Sequence, residues 1–226
     1  MSTHTAAASP AGRSAFISNR LASILAIAPL GVWTVLHLWK NLTAFQGAEA
    51  WQKAVTGHSH APALWFTSFV IVILPLLLHT VWGLRRMWTS RPNNPRYGYF
   101  ANLRYVLQRL SAIGVLFFLG AHVWLAFLSP RVLEGHPEQF NDLAAEMFHH
   151  PPTFIVYMLG TLGVSYHLAN GIHGVAMGWG FASSRDALKR VETLVLVLFL
   201  VFLAMSWGSI YALRTAGAVL PMPANM

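Results

Sequence analysis

The chain has 226 residues, of which 55% are apolar and only 10% charged, against about 25% charged in a typical soluble domain. Too few charges are present to cover a soluble globule, and a chain this apolar is not disordered. The absence of cysteine excludes disulfides, thiolate zinc sites, iron–sulfur clusters ligated by this chain and covalently attached haem. The formal charge of +8 reads as basic loops of a membrane protein rather than as a nucleic-acid surface.

Residues 1–12, rich in Ala, Ser and Thr, are expected to be a disordered tail. No cleaved secretory signal is expected there, because the apolar run that follows is long enough to span and lacks a clear small-residue cleavage site. Residues 13–226 are expected to form a single transmembrane domain. A membrane helix needs roughly 20 mostly apolar residues, and five stretches qualify: Leu21 to Trp39, Ala63 to Leu84, Leu110 to Leu128, Thr153 to Met177 and Leu194 to Leu213. The sequence predicts helices over about 16–43, 62–90, 100–129, 152–181 and 187–215, an all-α, five-helix transmembrane bundle. Pro29 and Pro75 fall inside the first two and should bend them. The connecting segments Asn41 to Pro62 and Ser129 to Pro152 are polar enough to lie at the outer surface.

Orientation follows from the basic residues. Eleven of the fifteen lie on one side: Arg13, Arg20, Arg85, Arg86, Arg91, Arg96, Arg104, Arg109, Arg185, Lys189 and Arg190. The other side carries Lys40, Lys53, Arg131 and Arg214 with five of the seven acids. The N-terminus is therefore expected in the cytoplasm, with the protein a multi-pass component of the cell inner (plasma) membrane.

Four of the five spans carry histidine: His37, His79, His122, and His167 with His173. The span interiors hold no acid or lysine, so the mid-membrane carboxylates usual in proton relays are missing. Buried ionisable groups in lipid are costly and point to function. Neutral imidazole is a good ligand for haem iron, and two rings from different helices can fill both axial positions. Depth sorts the rings. His37 lies 17 residues past Arg20 and His122 lies 18 past Arg104, each about 25 Å above its arginine at the helical rise. His79 and His167 come out nearer the cytoplasm. The expectation is an outer pair, His37 with His122, and an inner pair, His79 with His167, each on one haem in the bundle core. Asn170, Gly171 and Gly174 share the face of His167, and Gly83 that of His79. The plainer alternative is that these rings hydrogen-bond neighbouring helices and the glycines serve helix packing. His173, rotated about 120° from His167, reads as a polar partner at the interface for a haem propionate.

At these residues the chain resembles the dihaem cytochrome b membrane-anchor subunit of succinate:menaquinone oxidoreductases and fumarate reductases. Arg20-Leu21-Ala22-Ser23 is similar to the family's opening R-L-x-S, and His37-Leu38 with Asn41 to its first ligand segment. Gly47-Ala48-Glu49-Ala50 resembles a stretch of the first outer loop. Leu74-Pro75-Leu76 and His79-Thr80-Val81-Trp82-Gly83 resemble L-P-L and H-x-V-[YW]-G. Val106-Leu107-Gln108-Arg109 resembles V-L-Q-R, His122-Val123-Trp124 resembles H-V-W, and His167 with Asn170-Gly171 resembles H-x-x-N-G. The resemblance implies two haems b, with His37 and His122 on the outer one and His79 and His167 on the inner one. It also implies an FAD-containing flavoprotein and an iron–sulfur subunit docked on the cytoplasmic face, and a membrane quinone, menaquinone in preference, as the redox partner. The dicarboxylate chemistry would lie in the flavoprotein. The chain departs from the pattern at Ser165, where some members carry an acid linked to transmembrane proton transfer.

Arg20, Ser23, Gln108 and Arg109 are candidates for inner haem propionates or, equally, for lipid anchoring and capping. The arginine-rich face fits docked subunits and anionic lipid equally well. Trp51, Trp65 and Trp124 could line a quinone site or form an interfacial belt. Met158 and Met205 read as core packing, and the fifth span as a shield against lipid. Two rivals remain at this point. One is the cytochrome b subunit of a hydrogenase, formate dehydrogenase or nitrate reductase. The other is a haem-free anchor or transporter.

Overall fold

A computed structural model of the chain describes residues 20–57, 66–89 and 99–222. The N-terminal tail, the start of the first expected helix, Trp65, Arg91 and Arg96 lie outside them.

Among the described residues seven helices follow in order: α1 (Arg20–Gln46), α2 (Ala48–Val55), α3 (Phe66–Thr89), α4 (Phe100–Val123, continued in wider turns over Trp124–Leu133), α5 (Phe140–His149), α6 (Pro151–Gly178) and α7 (Arg185–Gly217). Among the described residues α1, α3, α4 and α7 are long and apolar enough to cross a membrane. The fourth expected span is α6, whose 28 residues make a rod of about 42 Å. It is not among those four, because Ser165, His167, Asn170 and His173 dilute it. The packing accounts for this composition: α6 runs between α4 and α7 with Tyr157, Gly160, Thr161, Ser165, Ala169 and Asn170 buried. A central helix need not present an apolar face to lipid all round.

Three prolines within the long helices adjoin stretches of wide, i→i+5 turns. Pro29 lies within Ala26–Gly31, Pro75 follows Phe69–Ile73, and Pro130 lies within Trp124–Leu133. A proline cannot donate to the ladder and crowds the preceding turn, and a widened turn absorbs both faults. The helices alternate in direction. Arg85, Arg86, Arg104, Arg109, Arg185, Lys189 and Arg190 gather at one end, and α2, α5 and the C-terminal part of α7 close the other.

That closed end corrects one expectation. The segments Asn41 to Pro62 and Ser129 to Pro152 are polar on average, yet they contain Trp51 and Met147, the two largest fully buried side chains among the described residues. The reason is amphipathicity. In α5 the apolar residues Phe140, Leu143, Ala144 and Met147 follow the i, i+3, i+4, i+7 spacing of one buried stripe, while Asp142 and Glu146 sit off that stripe. Trp51 packs edge-on against Phe140, with ring centroids 5.8 Å apart, and Ala44, Tyr157, Ile210 and Leu213 complete the cluster. Burying side chains such as Trp51 and Met147 contributes about 2–3 kcal/mol each. Polar clamps fix the cap. Gln52 of α2 donates to the Glu138 carbonyl (2.9 Å) and accepts from the Phe140 backbone N–H (3.1 Å). Arg131 pairs with Glu138, and Arg214 donates to the Met147 carbonyl (2.8 Å). Gly47 makes the turn from α1 into α2 at φ 98°, a backbone state that favours glycine.

Candidate cofactor site

Below the cap the helices border a half-open cavity of ≈ 2030 Å³. His37 (α1), His79 (α3), His122 (α4) and His167 (α6) all line it. They meet two by two. The rings of His37 and His122 lie 5.8 Å apart, centroid to centroid, with their planes at 76°. Those of His79 and His167 lie 6.2 Å apart at 74°. The first pair sits near the cap and the second nearer the arginine-rich end. Along α4, His122 and the Ser111 that touches His167 are 11 residues apart, so the two levels differ by about 16 Å.

The antiparallel register of α4 and α6 sets these levels. Phe118 meets Gly160, Val115 meets Gly163, Ser111 meets His167 and Arg104 meets His173. At Gly160 a β-carbon would collide with the Phe118 ring, so glycine is what lets the two helices approach there. Gly83, Gly171 and Gly174 line the cavity, and added β-carbons would meet no atom within 3.9 Å. They widen the space beside the rings.

Each ring has its own surroundings. His37 stacks on Trp33 at 4.8 Å. The Asn41 amide nitrogen lies 3.3 Å from His37 Nε2 and donates to the His37 carbonyl (2.9 Å). Asn41 Oδ1 in turn accepts from the Trp51 indole (3.1 Å). His122 Nδ1 lies 3.1 Å from the Tyr157 hydroxyl. His167 Nδ1 lies within reach of Gln108 Nε2 (3.2 Å) and Ser111 Oγ (3.3 Å), and Asn170 donates to Gln108 Oε1 (2.8 Å). His79 lies against the backbone of Ala22, and its Nδ1 is buried with no hydrogen-bond partner among the described residues.

The chemistry of this donor set is narrow. Among the described residues no group of three or more His, Asp or Glu side chains could hold a bare metal ion, which commonly takes three or four protein ligands. Opposed imidazoles in twos suit a metal whose other positions a planar macrocycle already fills.

Comparison with known proteins decides the family. Residues 89–205 match the model of the succinate dehydrogenase/fumarate reductase transmembrane subunit. The chain is 30% identical over 202 residues to the succinate dehydrogenase cytochrome b558 subunit of Bacillus subtilis, covering 89% of this chain and 97% of that one. This chain belongs to the succinate dehydrogenase/fumarate reductase transmembrane subunit family. A second relative is the succinate dehydrogenase hydrophobic membrane anchor subunit of Thermoplasma acidophilum, 23% identical over 122 residues, covering 54% of this chain and 93% of that one.

As a succinate dehydrogenase/fumarate reductase membrane subunit, the chain works inside a larger complex, and the rival complexes and the transporter reading fall away. Its other expected site residues are placed as follows. Ser23, Gln108, Arg109 and His173 line the cavity. Arg20 does not; its guanidinium lies over the Trp179 ring at 4.5 Å. Gln108 is turned to His167 and Asn170. Arg109 stacks on Tyr105 at 4.2 Å and reaches the Arg86 carbonyl. His173 takes Arg104 at 2.7 Å, and the same guanidinium nitrogen pairs with Glu192. Trp51 is a buried anchor of the cap rather than a residue of an exposed belt, while Trp124 is exposed. Met158 and Met205 pack against the apolar clusters. Ser165 is fully buried and donates to the Thr161 carbonyl of its own helix (2.8 Å).

Sequence reasoning did not single out Tyr157, Ser111 or Phe118. The signal that could have found them is the α4–α6 register, since each faces a residue already flagged or a glycine next to one.

Proposed function

We propose that this subunit is a dihaem cytochrome b. His37 and His122 would hold one haem b, and His79 and His167 the other. On this reading the chain carries electrons between an iron–sulfur subunit, itself joined to an FAD-containing flavoprotein, and a membrane quinone, with menaquinone the preferred candidate. The observation that carries it is the pairing of the four rings across one cavity. A metal–imidazole bond of about 2 Å puts the centroids of two rings on opposite sides of one ion roughly 6 Å apart, and the pairs stand at 5.8 and 6.2 Å. The orphaned Nδ1 of His79 and the open faces of Gly83, Gly171 and Gly174 also favour a bulky planar guest.

When bound, haem supplies one-electron redox chemistry, which no side chain here provides. The protein's part is ligation, orientation and exclusion of water. With its proton on Nδ1, His167 donates to Ser111 Oγ, which in turn donates a hydrogen bond to the Gln108 backbone carbonyl (2.9 Å), leaving Nε2 free to ligate. Tyr157 can serve His122 in the same way. Such second partners fix ring and tautomer. Arg104, Arg109, Ser23 and His173 line the arginine-rich end of the cavity, where haem propionates would find cationic and polar partners.

The charge asymmetry supports a cytoplasmic arginine-rich end, with α6 as a fifth span, the N-terminus inside and the cap outside. That end is then the docking face for the soluble subunits. A reduced-minus-oxidised spectrum and haem extraction on the purified complex test the reading. Two bis-imidazole b haems per copy of this chain are expected, and a complex with no haem sinks it.

A further inference from the structure

The His122 ring is held by side chains from two helices, α4 and α6. Phe118, one turn earlier on α4, lies nearly parallel to it at 5.5 Å and 22°. Tyr157 of α6 presents its edge to both rings, 5.7 Å from His122 and 5.3 Å from Phe118. Behind Phe118 stands Gly160, on the same helix as Tyr157 and three residues along. The Tyr157 side chain is buried within the apolar cluster beneath the cap, and its hydroxyl reaches His122 Nδ1 at 3.1 Å.

We propose that Tyr157 is a positioning residue for His122 and, resting on the haem reading above, that its hydroxyl tunes the redox potential of the cap-end centre alone. The phenol oxygen accepts a hydrogen bond from Nδ1–H, so the proton-free nitrogen is Nε2. Phe118 and the edge of Tyr157 hold the ring against rotation. Accepting that proton makes the imidazole more basic toward a bound metal. A more strongly donating axial ligand favours the oxidised state and lowers the potential, second-shell hydrogen bonding being one of the protein's levers on it. The effect is local. The second pair has different partners, Ser111 and Gln108 at His167 and none at His79 Nδ1 among the described residues, and it lies about 16 Å away along α4.

The test is a redox titration of the intact complex in membranes, with both centres followed by optical and electron paramagnetic resonance spectra. Tyr157→Phe keeps the ring and removes the oxygen. The cap-end centre should shift to higher potential, with the other centre unmoved and both haems retained. Site-specific 3-fluorotyrosine at position 157 keeps shape and hydroxyl but weakens the acceptor, and should give a smaller shift of the same sign. If Tyr157→Phe loses the cap-end haem, the fluorinated variant decides by that same shift. Potentials unmoved in both variants, or both centres moving together, overturn the role of Tyr157 while leaving the haem reading standing. A complex without haem overturns both.

Discussion

His79 and His167 face each other with ring centroids 6.2 Å apart, although 88 residues separate them in the chain. His37 and His122 face each other in the same way one level above. Single replacements should therefore act in pairs. His37→Ala and His122→Ala should each remove the same haem, and His79→Ala and His167→Ala the other. Difference spectra of the four variants check this. Loss that groups His37 with His79 would break the assignment of ligands to centres.

Gly160 admits no side chain without moving Phe118. Gly160→Ala should overpack the α4–α6 contact and destabilise it by about 1–3 kcal/mol. Thermal unfolding in detergent should show a lower midpoint, with disturbance at the cap-end pair before the other.

Met147 is fully buried in the cap. Truncation to Ala should cost about 2–5 kcal/mol through lost contacts and the void left behind. Phe45, 59% exposed, is a size-matched control: Phe45→Ala should move the unfolding midpoint far less.

Gln52 joins α2 to the segment entering α5 through two hydrogen bonds. Gln52→Ala strands a carbonyl and an N–H and should cost about 1–3 kcal/mol. Hydrogen exchange should report it as faster exchange in α2 and at the start of α5, with the centres of α4 and α7 unchanged.

Ser165 satisfies its hydroxyl within α6. Ser165→Ala should alter stability by less than about 1 kcal/mol and leave quinone-linked turnover intact. Ser165→Glu, by contrast, buries an unpaired charge and should impair folding or force the carboxyl to stay protonated. A large fall in turnover for Ser165→Ala would mean the hydroxyl has a role that this geometry does not assign to it.

The long helices and the ring pairs were legible because one number, the rise per residue, turns sequence distance into depth. Counting from Arg20 and Arg104 put His37 level with His122. The cap was not legible in the same way. Averaging over Ser129 to Pro152 mixes the polar face of α5 with its apolar stripe, and only the positions of Phe140, Leu143, Ala144 and Met147 reveal it. Gln108 read as a propionate contact from its place near a helix end. Its turn toward His167 depends on how α4 and α6 slide past each other, which neither helix alone specifies. Tyr157 was hidden because nothing local distinguishes it from the other aromatics of an apolar chain.

The close packing of α2 and α5 reverses the usual map of mutational tolerance. Outward positions such as Leu36, Phe117 and Leu200 ask only for oiliness, and any greasy side chain will serve. Shape is demanded instead in the cap, where Ala144 of α5 lies so close to Gly217, at the end of α7, that a β-carbon on the glycine would strike the Ala144 carbonyl. In this subunit the exacting vocabulary belongs to the linkers, and the long hydrophobic rods can drift freely over most of their circumference.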